Sequence, residues 1–307
     1  LVILGLFYFN VLSPLLALGR NTVIISQRLP EVLSYIESFD VAKAKDTLGS
    51  LEFAFEDSAQ AVAKFQWLLR VLSLDQSGYQ ISAALSDYAR ITGATEDMMY
   101  AAEPLSAYLD RYTDNLYFRP NSDSYLSNSN GLDYSPILSE LSDRQAYLDA
   151  AFSKYTEAIS HLDTLSVPSF LGDAFSGIQE HISDLGVEKL YNLLQNVGSM
   201  LGSGEDISYL IAIMDNARLQ PAGGSLSTLI QFTFRNGAIA EVKVLPVESV
   251  SMGEWQADEN SLGFLNARSF TKVTRLDLSN IDQIPDNDVF AMVLKQAWKQ
   301  YTGRDIS

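Results

Sequence analysis

The chain has 307 residues, 47% of them hydrophobic, which is ample for a core and sets a prior of about two domains. It has no cysteine, which excludes a disulfide framework, a thiolate nucleophile and a Cys-type zinc site, and is compatible with an extracytoplasmic compartment. The net charge of −17 argues against nucleic acid, whose phosphates need a basic footprint, and against an anionic lipid-binding surface. Residues 1–200 carry 12 Lys+Arg and 25 Asp+Glu, residues 201–307 carry 9 and 13, so the acidity sits on the first part.

Leu1–Gly19 holds no charge and approaches the roughly 20 residues that span a bilayer. A signal-peptide core is usually shorter and ends in a small-residue cleavage site. A buried soluble helix usually shows a polar stripe, and this run has none. The reading is a membrane anchor over residues 1–20, with Leu1–Gly19 in lipid and the bulk of a single-pass chain outside the cell membrane.

Ser38–Leu74 reads as the clearest helix, with Val41, Ala44, Leu48, Leu51, Phe55, Ala59, Val62, Phe65, Leu69 and Leu72 at spacings of three and four. Asp40 is its expected N-cap. Ser77–Gly78 is expected to break the pattern before a second helix, from Ile81 to Tyr112, that Pro104 should kink. Arg119–Pro136 is rich in Asn, Ser, Asp, Gly and Pro and reads as a loop. A third helix carries Leu141, Leu148, Phe152, Tyr155, Ile159 and Leu162, and Val167–Pro168 ends it. Phe175–Leu185 and Leu190–Leu201 mark two shorter helices, with Gly202 and Gly204 as stops. Long striped helices joined by loops predict an antiparallel helical bundle over residues 21–204.

Residues 205–307 read as a small α/β domain. Strands are expected at Tyr209–Met214, Leu226–Arg235 and Ala238–Leu245, because apolar residues alternate there at the period of a pleat. Asn236–Gly237 signals a tight hairpin, since both central residues need positive φ. Ser249–Phe270 has no clear period, and Lys272–Leu278 suggests a further strand. Val289–Tyr301 then reads as a helix between Asp288 as N-cap and Gly303 as stop. Strands, a helix and an end at Ser307 look like an α/β unit cut before its last strands. The fold class is therefore mainly α with a C-terminal α/β part.

Leu201–Gly202, Tyr209–Leu210, Asn216–Ala217, Pro221, Gly223–Gly224 and Asn236–Gly237 together resemble the bacterial domain of unknown function 4012 family. Asp40, Lys43–Ala44, Pro168 and Pro285–Gly303 resemble further pieces of it. The resemblance implies a cell-surface protein with an N-terminal membrane helix, a helical region outside the membrane and a small α/β domain. The family's loop arginine stands just before the proline, where this chain has Gln220; Arg218 lies two residues earlier.

A strand, an arginine-bearing loop and a strand are also similar in outline to LytR–CpsA–Psr ligases, which attach glycopolymers from a polyprenyl-pyrophosphate donor. Such chemistry uses arginine forks on phosphate oxygens and carboxylates for a metal ion. Arg218, Arg235, Arg268 and Arg275 are possible forks. The ligand-binding candidates are Arg218, Gln220, Gly223, Gly224 and Asp215, against the plainer reading of a loop arginine, a turn aspartate and a tight glycine turn.

His161 and His181 lie on helices without metal-ligand spacing, which speaks against a zinc site or a Ser–His–Asp triad. Asp282, Asp286 and Asp288 lack the glycine and terminal glutamate of a calcium loop and read as caps. Trp67, Trp255 and Trp298 read as core or interface anchors. No cofactor, metal or catalytic residue is expected. The expected partners are membrane lipid through Leu1–Gly19 and other protein subunits, or a second copy of the chain. The favoured function is a membrane-anchored structural or interaction protein, with a phosphotransferase or polyprenyl-pyrophosphate binder as the alternative.

Overall fold

The computed structural model describes residues 8–113, 134–166, 168, 172–217, 222–247, 281–284, 286–303 and 306. The chain is mostly helical with one small sheet. In order, a π-helical turn at Tyr8–Leu12 leads into α1 (Ser13–Glu37), followed by α2 (Val41–Lys64), α3 (Gln66–Val71), α4 (Asp75–Thr113), α5 (Ser135–Thr164), α6 (Gly172–Asp184) and α7 (Val187–Met200). Strands β1 (Ile207–Asp215), β2 (Ser225–Arg235) and β3 (Ala238–Pro246) precede a 3-10 turn at Ile281–Gln283 and α8 (Asn287–Thr302). Two compact units result: Leu1–Asn121 with Ser139–Val197, and Ser122–Leu138 with Gly198–Ser307.

The larger unit is built on α2 and α4. Leu48, Leu51, Phe55, Tyr88, Ile91, Met98 and Met99 are fully or almost fully buried, and the rings of Phe55 and Tyr88 lie 5.4 Å apart. Two glycines let these helices approach, each lying under a glutamate of the other. A Cβ on Gly93 would come within 2.5 Å of Glu52 Oε1, and one on Gly49 within 3.1 Å of Glu96 Oε2. α1 packs along α2. The reversal between them is tight, with Phe39 at φ 56° and Asp40 capping α2 by accepting from the Lys43 amide at 3.2 Å. Polar clamps close the bundle. Glu103 accepts from Lys45 and from Arg144 at 3.2 Å, while the Arg144 guanidinium stacks 4.3 Å from the Tyr100 ring centroid.

The structure corrects several boundaries. The expected helix over Ser38–Leu74 is two, because the chain bends at Phe65. The break expected at Ser77–Gly78 lies instead at Leu72–Leu74, where Ser73 takes a φ of 57°. Gly78 sits inside α4, and a Cβ there would strike Leu69 Cδ1 at 2.5 Å. The glycine lies inside the helix, where its missing Cβ leaves room for the Leu69 and Gln66 side chains of α3, and does not end a helix. α4 continues through Pro104. Arg20 ends the apolar run but not the helix, since α1 continues to Glu37. The membrane helix expected over Leu1–Gly19 has no counterpart among the described residues, where no helix is long and apolar enough to cross a membrane. Residues 1–7 of that stretch lie outside the described residues.

In the smaller unit the sheet is antiparallel in the order β1-β2-β3. One face packs on α8, with Leu226, Leu229, Ile284, Val293, Leu294, Ala297 and Trp298 at the centre. The cap of α8 is Asp286, which accepts from the amides of Asp288 and Val289, rather than Asp288. Gly303 ends the helix at φ 68° as expected. The strand expected at Lys272–Leu278 lies outside the described residues, as do Ser249–Phe270.

Burial raises the Glu52 carboxyl above the usual glutamate range, and Glu96, Asp97 and Glu56 add to it against the opposing Lys154. Glu96 is raised by burial and then by Asp97 and Asp46, against Lys45. Glu103 goes the other way: burial opposes ionisation, but its bonds from Lys45 and Arg144 outweigh that and hold it low. A raised carboxyl binds its proton earlier when folded than when unfolded, so acidification from neutral pH stabilises the bundle. Contributions like that of Glu103 begin to be lost as pH falls through the usual carboxylate range and are gone below its lowered folded value. Thermal unfolding followed across pH is expected to show a maximum on the acid side of neutrality. Glu52→Gln should raise Tm at pH 7 and flatten the slope toward that maximum; an unchanged slope would contradict this assignment.

Candidate functional site

Two regions can be built from the residues upward: the loop between β1 and β2, and the apolar surfaces left uncovered. In the loop, Asp215 closes a short turn, its Oδ1 accepting from the Ala217 amide at 3.0 Å. Gly223 has a φ of 93°, a backbone only glycine adopts at little cost. Gly224 is needed for a different reason: a Cβ would stand 2.8 Å from the Asp215 carbonyl oxygen. Asp282 ties the far side of the loop. Its carbonyl accepts from the Ala222 amide at 3.0 Å and its buried carboxylate from the Leu226 amide at 3.3 Å. The role of Asp282 in bracing this loop is 56 residues away in sequence from Leu226 and carries no local signal.

Arg218 and Gln220 lie outside the described residues, as do Pro221, Arg268, Arg275 and Trp255. Arg235, another expected fork, is held by Asp206 through two parallel bonds, Nε to Oδ1 at 2.8 Å and Nη2 to Oδ2 at 2.6 Å. That geometry is the one a phosphate would need, and the carboxylate already takes it. The loop thus places Asp215, Gly223 and Gly224 together as a braced turn. Among the described residues no group of three or more His, Asp or Glu side chains is placed to hold a metal ion. His161 Nδ1 meets the buried carboxylate of Asp87 at 2.6 Å and pins α5 to α4. His181 Nδ1 lies 2.8 Å from the Gly177 carbonyl.

The scattered motif pieces meet in space. The amides of Asn236 and Gly237 donate to the carbonyls of Gly202 and Leu201, both at 2.8 Å. Gly202, at φ 75°, leaves no room for a Cβ, which would stand 2.5 Å from the Phe234 carbonyl oxygen. Tyr209 donates to the Met200 carbonyl at 2.6 Å and sets its ring edge-on to Phe234. Gly237 presses against the Tyr134–Ser135 backbone, and the Tyr134 amide donates to its carbonyl at 2.7 Å. The Leu-Gly, Tyr-Leu and Asn-Gly signals are therefore one structural clasp.

The sheet faces differ in an unexpected way. On β2, Gln231 and Thr233 are buried while Ile230, Phe232 and Phe234 are half-buried. Ser208, Gln231 and Thr233 satisfy one another, with Ser208 Oγ 2.9 Å from Thr233 Oγ1 and Gln231 Nε2 3.2 Å from Ser208 Oγ. The other face carries Ile211, Ile230 and Val244 in one cross-strand row and Tyr209, Phe232 and Val242 in the next. Ile211, Ile213, Val242 and Val244 are exposed there.

In the larger unit, Tyr8, Leu12, Leu15, Leu16 and Val23 are exposed, with Leu16 at 61%. A second exposed group, Trp67, Val71, Leu72, Leu74 and Tyr79, surrounds the turn between α3 and α4. Among the described tryptophans, Trp67 is exposed and Trp298 buried.

No protein-family model matches the chain, and neither does any curated protein or any solved structure.

Gly202→Ala combines a positive φ with a backbone clash, so it should cost about 3 kcal/mol or more in chemical denaturation. Gly204→Ala, at φ 92° with open space around its Cβ position, should cost about 1–2 kcal/mol. Equal losses at the two sites would show that the clasp contributes nothing.

Proposed function

We propose that this chain is a membrane-anchored structural or interaction protein, held at a cell membrane by its apolar N-terminal stretch with its bundle and sheet outside. The observation that carries the reading is the uncovered apolar surface of Tyr8–Val23. Leu12, Leu15 and Leu16 face solvent on a helix whose later residues Leu29 and Val32 are buried in the bundle. A water-facing helix start rich in leucine is a liability unless something apolar covers it. The anchor itself would run through Leu1–Gly19, where no charge interrupts the sequence. The exposed sheet face of Ile211, Val242 and Val244 supports contact with further protein subunits, the accessory-subunit form of the reading.

The phosphotransferase alternative rests on Arg218 and Gln220, and the described surroundings of the loop favour a braced turn over it. The test is flotation of the full chain with phosphatidylcholine–phosphatidylglycerol vesicles. The chain is expected to rise with the lipid and to resist an alkaline carbonate wash. Leu15→Asp combined with Leu16→Asp should reduce the floated fraction severalfold. Full-length protein that stays at the bottom of the gradient would overturn the anchor.

A further inference from the structure

We propose that the α3–α4 tip is a second membrane contact, a foot whose apolar side chains enter the boundary between headgroups and acyl chains beside the N-terminal anchor. This rests on the anchoring reading and deepens it. The tip is built to present apolar side chains outward. Gln66 donates to the Asp75 carbonyl at 2.8 Å, and Gly78 lets Leu69 press close to α4. With Leu69 turned inward, Trp67 (52% exposed), Val71 (74%) and Leu72 (57%) are left on the outside, with Leu74 and Tyr79 exposed beside them.

The register of the bundle decides where this foot stands. Asp57 on α2 accepts from Arg20 at 3.0 Å and from Asn21 at 2.9 Å on the antiparallel α1. At about 1.5 Å rise per residue, Lys64 of α2 is level with Ser13 of α1. The α3–α4 tip therefore stands at the same end of the unit as the exposed Tyr8, Leu12 and Leu16.

Charge selects lipid over protein as the occupant. The chain holds 38 Asp+Glu, yet residues 1–30 and 58–74 contain none. Arg20 and Arg28 are paired with Asp57 and Glu31, so the basic side chains beside the tip are Lys64 and Arg70. A protein of net charge −17 thus has one end that is apolar and aromatic and carries two basic side chains, with acid-free sequence from Ser58 to Leu74. Tryptophan and tyrosine settle at the headgroup level, and lysine and arginine reach past it to anionic phosphates. The overall acidity would hold the rest of the chain off an anionic surface and orient this end toward it.

The experiment uses the full chain with phosphatidylcholine–phosphatidylglycerol vesicles whose acyl chains carry bromine, which quenches nearby tryptophan. Flotation reads the anchor; quenching reads the foot. Flotation with a quenched component that disappears in Trp67→Phe is the expected result. Val71→Asp with Leu72→Asp should remove most of the same component while flotation persists, and both sites are exposed enough for folding to survive. Flotation without Trp67-dependent quenching overturns the foot and leaves the anchor standing, whereas failure to float overturns both. If the Val71→Asp/Leu72→Asp variant instead dissolves an oligomer seen by light scattering, with Trp67 unquenched, the tip is a protein interface and the proposal is wrong.

Discussion

The antiparallel register of α1 and α2 is the constraint on which the functional reading depends. A three-residue reversal, Ser38–Asp40, fixes it at one end. Phe39 must adopt a left-handed backbone there, and Asp40 supplies the hydrogen bond that starts α2. At the other end Asp57 bonds to Arg20 and to the fully buried Asn21. A buried amide without a partner is costly, so a slip of one turn would leave Asn21 unsatisfied. Asp57 thereby acts less as a source of stability than as a pin. An exposed ion pair such as Arg20–Asp57 contributes little, but its position decides which sequence ends share one pole of the bundle.

The same economy governs the smaller unit. Gly202 and Gly237 are places where two backbones come within contact distance, and the Asn236–Gly237 turn donates to the end of α7's sequence at Leu201 and Gly202. Hairpin turns usually face water. Here Gly237 is buried, and the chain past Met200 supplies carbonyls for both turn amides. A short motif that looks like a ligand loop in sequence is explained here by backbone accounting alone. The Asp215–Gly224 loop follows the same logic through Asp282.

Much of the fold was legible in the sequence, for identifiable reasons. The stripe from Val41 to Val62 is buried almost throughout, the strand periods and the Asn-Gly turn mark each of the three described strands, and Asp40 caps where expected. What failed were breaks and faces. Gly78 reads as a helix stop in the sequence, because the close approach of the Leu69 side chain depends on a fold-back that no local pattern signals. The apolar spacing runs on through Leu69 and Leu72, although the helix bends at Phe65 and Leu72 faces out. On β2 the more polar alternation is the buried one, because Ser208 on β1 supplies the partners for Gln231 and Thr233. The ligand candidates were legible as a turn but not as a site, since Arg218 and Gln220 fall outside the described residues.

Net charge misleads when it is averaged over a chain. At −17 the whole molecule is repelled by anionic lipid, and that average argued against any lipid-facing surface. Yet screening confines each charge to about 8–10 Å at physiological salt, so a membrane meets only the charges nearest to it. In the proposed arrangement the register of α1 and α2 brings acid-free sequence to one pole, and the local charge there is carried by Lys64 and Arg70, since Arg20 and Arg28 are paired with Asp57 and Glu31. The acidic residues elsewhere then have an orienting effect rather than a purely repulsive one, because any tilt that lowers them toward the headgroups costs electrostatic energy. A single apolar helix leaves a protein free to swing about its axis. In the proposed arrangement a second contact at the same pole would remove that freedom without a second span, and a six-residue helix would suffice to provide it.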